Sequence, residues 1–365
     1  MTEVHAEPEQ AAPGAAGHAG ANMPPAASPG STPSSAPAAP AVEPTTVPAV
    51  GDGGVLGARA LRGTTRGHKP VRVVAARVPL RQRLVELWRN RELLAFLVRK
   101  EIKVKYKNSV LGFFWSMLNP ALTLAVFWVL FTKFLPNDTP NFVIYMFSAL
   151  LVWNLFQTAV LGATGTIVNN GGIVKKVAFP REILALASVG SAFVFFLFQS
   201  IVLVAFMVGF RHAPRWGELW TVVPALAALM AFAAALSVFL AAVNVYLRDT
   251  QHLVEVALMA WFWAVPAVYL FPVRVHDGLA RYHLLWLYLG NPVTPIAMTF
   301  QRVFYAQADP LSTQRHVHQL VHVLPHYPLQ WYLAMDCSIL GVSLVLLLGA
   351  LAVFGRLEGN FAEEL

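Results

Sequence analysis

The tightest constraint on this chain is a junction within residues 84 to 135, where a basic segment gives way abruptly to an uncharged one. From Asn108 to Thr132 there is no Asp, Glu, Lys or Arg. At about 1.5 Å rise per residue, a helix of that length crosses a hydrocarbon core of roughly 30 Å. Just before it, Leu84, Leu87, Trp88, Leu94, Ala95, Val98, Ile102 and Tyr106 fall on one helical stripe that Arg91 interrupts. Arg89, Arg99, Lys100, Lys103 and Lys107 lie largely off the stripe, as do Phe96, Leu97 and Val104, so the amphipathicity is imperfect. A helix of this kind rests in the membrane interface, with aromatics at the acyl boundary and cations at anionic headgroups. The chain is therefore expected to enter the bilayer here, from a cationic and cytoplasmic side.

Composition agrees: 56% of the 365 residues are hydrophobic and 13% charged, which fits a polytopic membrane protein rather than a soluble domain. Fifteen of the 27 Lys and Arg residues lie between Arg59 and Lys107, against three acids. Beside a membrane span, anionic lipid is the expected partner of such a run, and nucleic acid is not. The single cysteine, Cys337, excludes a disulfide framework and a cysteine-based zinc site.

Residues 1–58 are rich in Ala, Pro, Gly and Ser, and are expected to be a disordered tail, because they hold too little apolar surface to offset chain entropy. A basic linker, 59–83, an interfacial amphipathic helix, 84–107, and a membrane domain, 108–365, follow. After the first apolar run, others lie at about 142–168, 183–210, 219–247, 253–273 and 331–354. The expected fold is all-α, with six transmembrane helices. Lys175, Lys176, Arg181, Arg248 and Arg356 then fall on inside segments, and Lys133, Arg211 and Arg215 outside, which places both termini in the cytoplasm. Tyr282 to Gln301 is also uncharged, but Gly290, Pro292 and Pro295 break it. Re-entrant extracellular helices between spans five and six are the expected arrangement.

No phosphate-binding loop, nucleophile elbow or H-E-x-x-H helix occurs. Few acids sit at membrane depth (Glu255, Asp336, with Asp249 at a turn), which argues against a proton-coupled carrier and a metal-dependent membrane glycosyltransferase. His316, His318, His322 and His326 have a metal-like spacing, the last three on one face if helical, but no acidic or cysteine co-ligand is evident, and no metal site is expected. Asn169 to Leu184 reads either as a positive turn or as a short coupling helix over Ile173 to Phe179 that docks on a cytoplasmic partner. Trp261 to Phe271 reads either as an aromatic belt or as a surface that stacks on sugar rings.

RKEIKVKYKNSVLGFFWSMLNP (99–120), KKVAFPREIL (175–184), NVYLRDTQHLVE (244–255), PAVYLFP (266–272), NPVTPI with Arg302 (291–302) and FGRLEGNFAEEL (354–365) stand in this order. Together they resemble the permease subunit of type-2 ABC transporters that export polysaccharide, a family that includes exporters of O-antigen, teichoic acid and cell-wall galactan. The long N-terminal tail departs from that pattern.

The resemblance implies a homodimeric permease with two copies of a separate ATPase subunit that binds ATP and Mg, no cofactor in this chain, and no enzymatic activity of its own. It implies that Lys175, Lys176, Phe179, Pro180, Arg181 and Glu182 form the ATPase-coupling motif, with Arg248 and Asp249 at the second cytoplasmic turn. It also implies a path lined by aromatics, for which Trp128, Trp261, Trp263 and Tyr269 are the candidates. Arg91, Arg99 and Lys100 are placed to gather a lipid diphosphate. The expected activity is export of a polyprenyl-diphosphate-linked polysaccharide, with cell-wall galactan preferred, across the plasma membrane. The alternatives are a type-2 permease for a drug or small lipid and, from another class, a membrane glycosyltransferase.

Overall fold

A computed structural model describes residues 79–105, 107, 114–134, 139–311 and 320–365. The tail, most of the basic linker, Tyr106, His316 and His318 lie outside these residues. The described chain is helical, and the only pairing of extended backbone among its residues is one antiparallel bridge between Leu311 and Leu320. In order the helices are α1 (Leu80–Arg89), α2 (Arg91–Lys105), α3 (Trp115–Val129), α4 (Phe142–Thr164), α5 (Thr166–Asn169), α6 (Gly171–Val174) and α7 (Glu182–Gly209). There follow α8 (Val222–Tyr246), α9 (Thr250–Phe262), α10 (Asp277–Arg281), α11 (Leu285–Leu289), α12 (Val293–Phe304), α13 (Leu329–Leu357) and α14 (Phe361–Glu364).

Among the described residues, four helical segments are long and apolar enough to cross a membrane: Phe142–Thr164, Glu182–Gly209, Trp216–Tyr246 and Leu329–Asn360. They match the second, third, fourth and last apolar runs. The first run is described from Phe114 as α3, extended by a π turn over Leu130–Phe134. The fifth gives only α9, which stops at Phe262 ahead of Pro266. Over an 18-residue window α4 is 83% buried, against 33% for α7 and 22% for α13, so α4 is the enclosed helix, with α7 packed on it and α13 packed on α8. α8 contributes Ala225, Ala228, Ala233, Ala234, Ala241 and Ala242 to the core. Small side chains let backbones approach closely, which is how helices associate where no hydrophobic drive separates protein from lipid.

The break after α9 is held by side chains. Pro has no N–H and cannot continue a helical ladder, so carbonyls of the last turn need other donors. Ala264 O accepts from Thr294 Oγ1 at 2.9 Å and from Asn291 Nδ2 at 3.2 Å. Pro266 O accepts from Gln301 Nε2 at 2.6 Å, and Tyr269 O from Tyr145 Oη at 3.1 Å. The break is thereby tied to α4 and to α12, whose Val293–Gln301 stretch is buried.

The segment read as one interfacial helix over 84–107 is two helices, and it begins earlier, at Leu80. Asn90 makes the turn between them, and its Nδ2 donates to Glu86 O at 2.8 Å. The apolar stripe also divides. Leu87, Leu94 and Val98 pack on the bundle, whereas Leu84, Trp88 and Ala95 are exposed. Leu97, off the stripe, is the buried residue of α2. Periodicity separates apolar from polar faces but not a protein-facing apolar surface from a lipid-facing one.

α2 lies close against α7. A Cβ on Gly190 would meet Val98 Cγ2 at 2.8 Å, inside van der Waals contact. Gly190→Ala should therefore destabilise the protein by about 1–3 kcal/mol. Val98→Ala in the same chain should restore most of the loss, as read from thermal unfolding midpoints in detergent. Equal midpoints for wild type and Gly190→Ala would refute the close approach.

Candidate functional site

Four segments that are far apart in sequence meet at the end of the bundle where α4 finishes. Leu97, Ile167, Val174, Ile183, Val245, Phe354 and Phe361 belong to one apolar cluster there, which joins α2, the α5–α7 connection, the end of α8 and the C-terminal segment. The connection is shorter in helix than the sequence led us to expect: α6 ends at Val174, and Lys175 to Arg181 form turns. Lys175 and Lys176 are exposed, while Phe179 packs on the cluster and Pro180 is half-buried. α7 opens two residues after Pro180 with Glu182 in its first turn, where a carboxylate complements the helix dipole.

Two of the residues expected to couple to a partner, Arg181 and Glu182, are held by charge and hydrogen bonds. Arg83 pairs with Glu182 through Nη1 and with Glu358 through Nη2 at 3.0 Å. Arg181 Nη1 donates to Glu358 O at 2.7 Å, and its guanidinium lies 5.8 Å from the Phe361 ring centroid. Burial by itself would lower the Arg83 pKa, but Glu358 and Glu182 outweigh it and hold the guanidinium above its ordinary value. A Cβ on Gly355 would meet Arg83 Cζ at 2.6 Å, so only glycine admits the guanidinium to this place. Arg83 was assigned to the linker on sequence; no local pattern marks it, because both of its partners are distant in the chain. At the second turn, Arg248 Nη2 reaches Glu364 O at 3.5 Å, and Arg248, Asp249, Tyr246 and Glu364 line a cavity of about 420 Å³.

Of the residues expected to meet lipid headgroups, Arg91 and Arg99 are exposed, with Arg91 stacked 5.6 Å from the Trp88 ring centroid. Lys100 is committed to the bundle, since its Nζ donates to Asn170 Oδ1 at 3.2 Å.

A cavity of about 690 Å³ runs between α3, α4 and α9 from Lys105 to Trp263. Its polar lining is mostly neutral amides and hydroxyls, Asn119, Thr123, Asn154, Gln157, Thr158 and Gln199, with Lys105 and Glu255 as its charged residues. Asn154 Nδ2 donates to Gln199 Oε1 at 3.1 Å, and Trp153 Nε1 to Gln157 Oε1 at 3.1 Å. Trp263 also lines a second cavity, of about 530 Å³, with Tyr269, Tyr282 and Tyr288. Tyr269 Oη donates to Trp263 O at 2.9 Å and lies 2.8 Å from Tyr288 Oη.

Two of the four path candidates, Trp263 and Tyr269, thus line these cavities. The other two do not. Trp261 is packed edge-on against Phe156 and donates its indole N–H to Asn291 Oδ1 at 3.0 Å, so it braces the break after α9. Trp128 is exposed on α3, whose cavity side carries Asn119, Thr123 and Phe127. The amide row of α4 and α7 was missed. Its signal was present as Asn154, Gln157 and Gln199, polar side chains inside apolar runs that gain nothing from hydrocarbon.

Removing Arg83 would leave Glu182 and Glu358 together without a counter-charge. Arg83→Ala is expected to cost about 3–5 kcal/mol, because breaking a buried pair strands its partner. Arg83→Ala combined with Glu182→Gln should recover part of it. Thermal unfolding of the three variants provides the measurement, and an Arg83→Ala midpoint equal to wild type would remove the ion triad as a structural clasp.

Comparison with known proteins places this geometry in a family. The pattern described as ABC-2 type transporter matches residues 92–305. The chain is 33% identical over 282 residues to the O-antigen export system permease protein RfbA of Myxococcus xanthus, covering 77% of this chain and 98% of that protein. It is 24% identical over 213 residues to the O-antigen export system permease protein RfbA of Klebsiella pneumoniae, covering 58% of this chain and 80% of that protein. The match begins inside α2 and runs through α12. With the family pattern spanning more than half of its length, the chain belongs to the ABC-2 type transporter family as a transport permease rather than an enzyme.

Proposed function

We propose that this chain is the transmembrane subunit of an ATP-driven exporter of lipid-linked polysaccharide, working as a homodimer with two copies of a separate ATPase subunit. The observation that carries the reading is the cavity between Lys105 and Trp263, whose polar lining is mostly neutral amides and hydroxyls, with Lys105 and Glu255 as its charged residues, and which is continued at Trp263 by a tyrosine-rich second cavity. A glycan presents hydroxyls, which need donors and acceptors of both kinds, and apolar ring faces, which stack on aromatic side chains. Asn and Gln supply both donor and acceptor without a charge that would trap a neutral sugar. The O-antigen export named in the relatives fits the same chemistry.

In this reading α3 and α9, with the turns that follow it, complete a set of six spans. α10–α12 form the re-entrant extracellular gate, and both termini lie in the cytoplasm of a cell whose plasma membrane holds the complex. ATP and its Mg are bound by the partner subunit. Lys175, Lys176, Phe179, Pro180, Arg181 and Glu182 receive its motion, with Arg248 and Asp249 beside them. The ion triad passes that motion to α1, α7 and α13 as one body. Arg91 and Arg99 gather the lipid diphosphate, whose charge cannot enter hydrocarbon unpaired.

The test uses cells in which the chromosomal copy is depleted and variants are supplied in trans. Depletion should make lipid-linked glycan build up on the cytoplasmic side. Asn154→Leu with Gln199→Leu, and separately Trp263→Ala, should cut export on the order of tenfold or more, in line with losing one or two hydrogen-bonded or stacked contacts of about 1–1.5 kcal/mol each. The purified complex should keep its basal ATPase rate. Depletion without any glycan accumulation would sink the reading and favour a drug or small-lipid substrate.

A further inference from the structure

The connection between α12 and α13 carries a cluster that none of the transport machinery uses. Leu311 pairs with Leu320, Val321 N donates to Pro310 O at 3.0 Å, and Val323 N donates to Ala308 O at 2.9 Å. That register sets Asp309 opposite His322 on an antiparallel pair, where facing side chains lie on the same side. His322 Nδ1 lies 2.7 Å from Asp309 Oδ1, and His326 Nε2 lies 2.6 Å from Asp309 Oδ2. The three ligand-type atoms are all within 4.8 Å of one another. The two imidazole centroids are 5.7 Å apart.

The sequence offered four-residue histidine spacing without a co-ligand. In the structure residues 320–328 are not helical, so the spacing does not act through a helix face. The antiparallel pairing instead delivers the missing acid, which lies 13 residues before His322 and 17 before His326.

We propose that Asp309, His322 and His326 form a binding site for a divalent transition metal of the zinc class, which clamps the α12–α13 connection. Two imidazoles and one carboxylate from one small patch are a donor set that zinc accepts, with the remaining position open to water. Tetrahedral bonds of about 2.0–2.2 Å put ligand atoms roughly 3.4 Å apart. Insertion therefore opens the two Asp309 contacts by under about 1 Å, and both histidines have the freedom to turn, since their side chains are 62% and 61% exposed. The ion would replace the hydrogen bonds by firmer links between Asp309 and the two histidines.

The test uses the full chain in detergent, titrated calorimetrically with Zn²⁺ and, in parallel, with Co²⁺ read by its visible absorption. Wild type should bind one ion per chain, with the intense Co²⁺ bands of low coordination. Asp309→Ala, His322→Ala and His326→Ala should each weaken binding on the order of tenfold or more, as loss of a ligand or its orienting partner does. His252→Ala, remote in sequence and paired with Glu255, should leave it unchanged. Zinc should also protect the 308–326 connection from proteolysis in wild type but not in the variants. No stoichiometric binding by wild type, or undiminished affinity in all three ligand variants, overturns the proposal. Because the readout is metal binding, its outcome is separate from that of the export experiments.

Discussion

The structure depends on how an interrupted helix is made tolerable inside an apolar bundle. Where water is absent, a carbonyl freed from a helical ladder must find another donor, at a cost of several kcal/mol if it does not. After α9 the donors are Thr294, Gln301 and Tyr145 from α12 and α4, and Asn291 from the turn before α12. These bonds fix the position of α12 against α4 and hold the aromatic turn at the end of the polar cavity. Trp261 belongs to that repair through Asn291.

At the other end of the bundle the organising force is charge. Arg83 lies between Glu182 and Glu358, and Arg181 is bonded to the backbone of the same acid. Three elements, α1, the start of α7 and the residue that follows α13, are linked through one guanidinium. A rigid link of this sort makes the elements move together rather than yield one at a time. Lys175 and Lys176 remain exposed beside it, and so are free to meet an acidic or polar partner surface.

Between the two ends, the core itself is ordinary in composition but uneven in placement. α4 is enclosed, whereas α7 and α13 present one flank outward, with Val204, Val208, Val342 and Val345 among the exposed residues. In water such a surface would aggregate, but against acyl chains it costs nothing. α3 likewise exposes Leu122, Val126 and Trp128.

The sequence by itself determined the class of protein, the four long spans to within a few residues, the basic helix ahead of the bilayer and the segments that gather at one end. Each of these is written locally, as an uninterrupted apolar run, a charge bias or a proline. Only the tertiary structure decided that Arg83 is a clasp rather than linker, that Leu97 rather than Trp88 faces the protein, and that Asn154 and Gln199 form a pair. It alone brought Asp309 to two histidines. Those outcomes depend on contacts between residues distant in the chain, and an apolar or polar side chain carries no local mark of which neighbour, protein or lipid, it will meet.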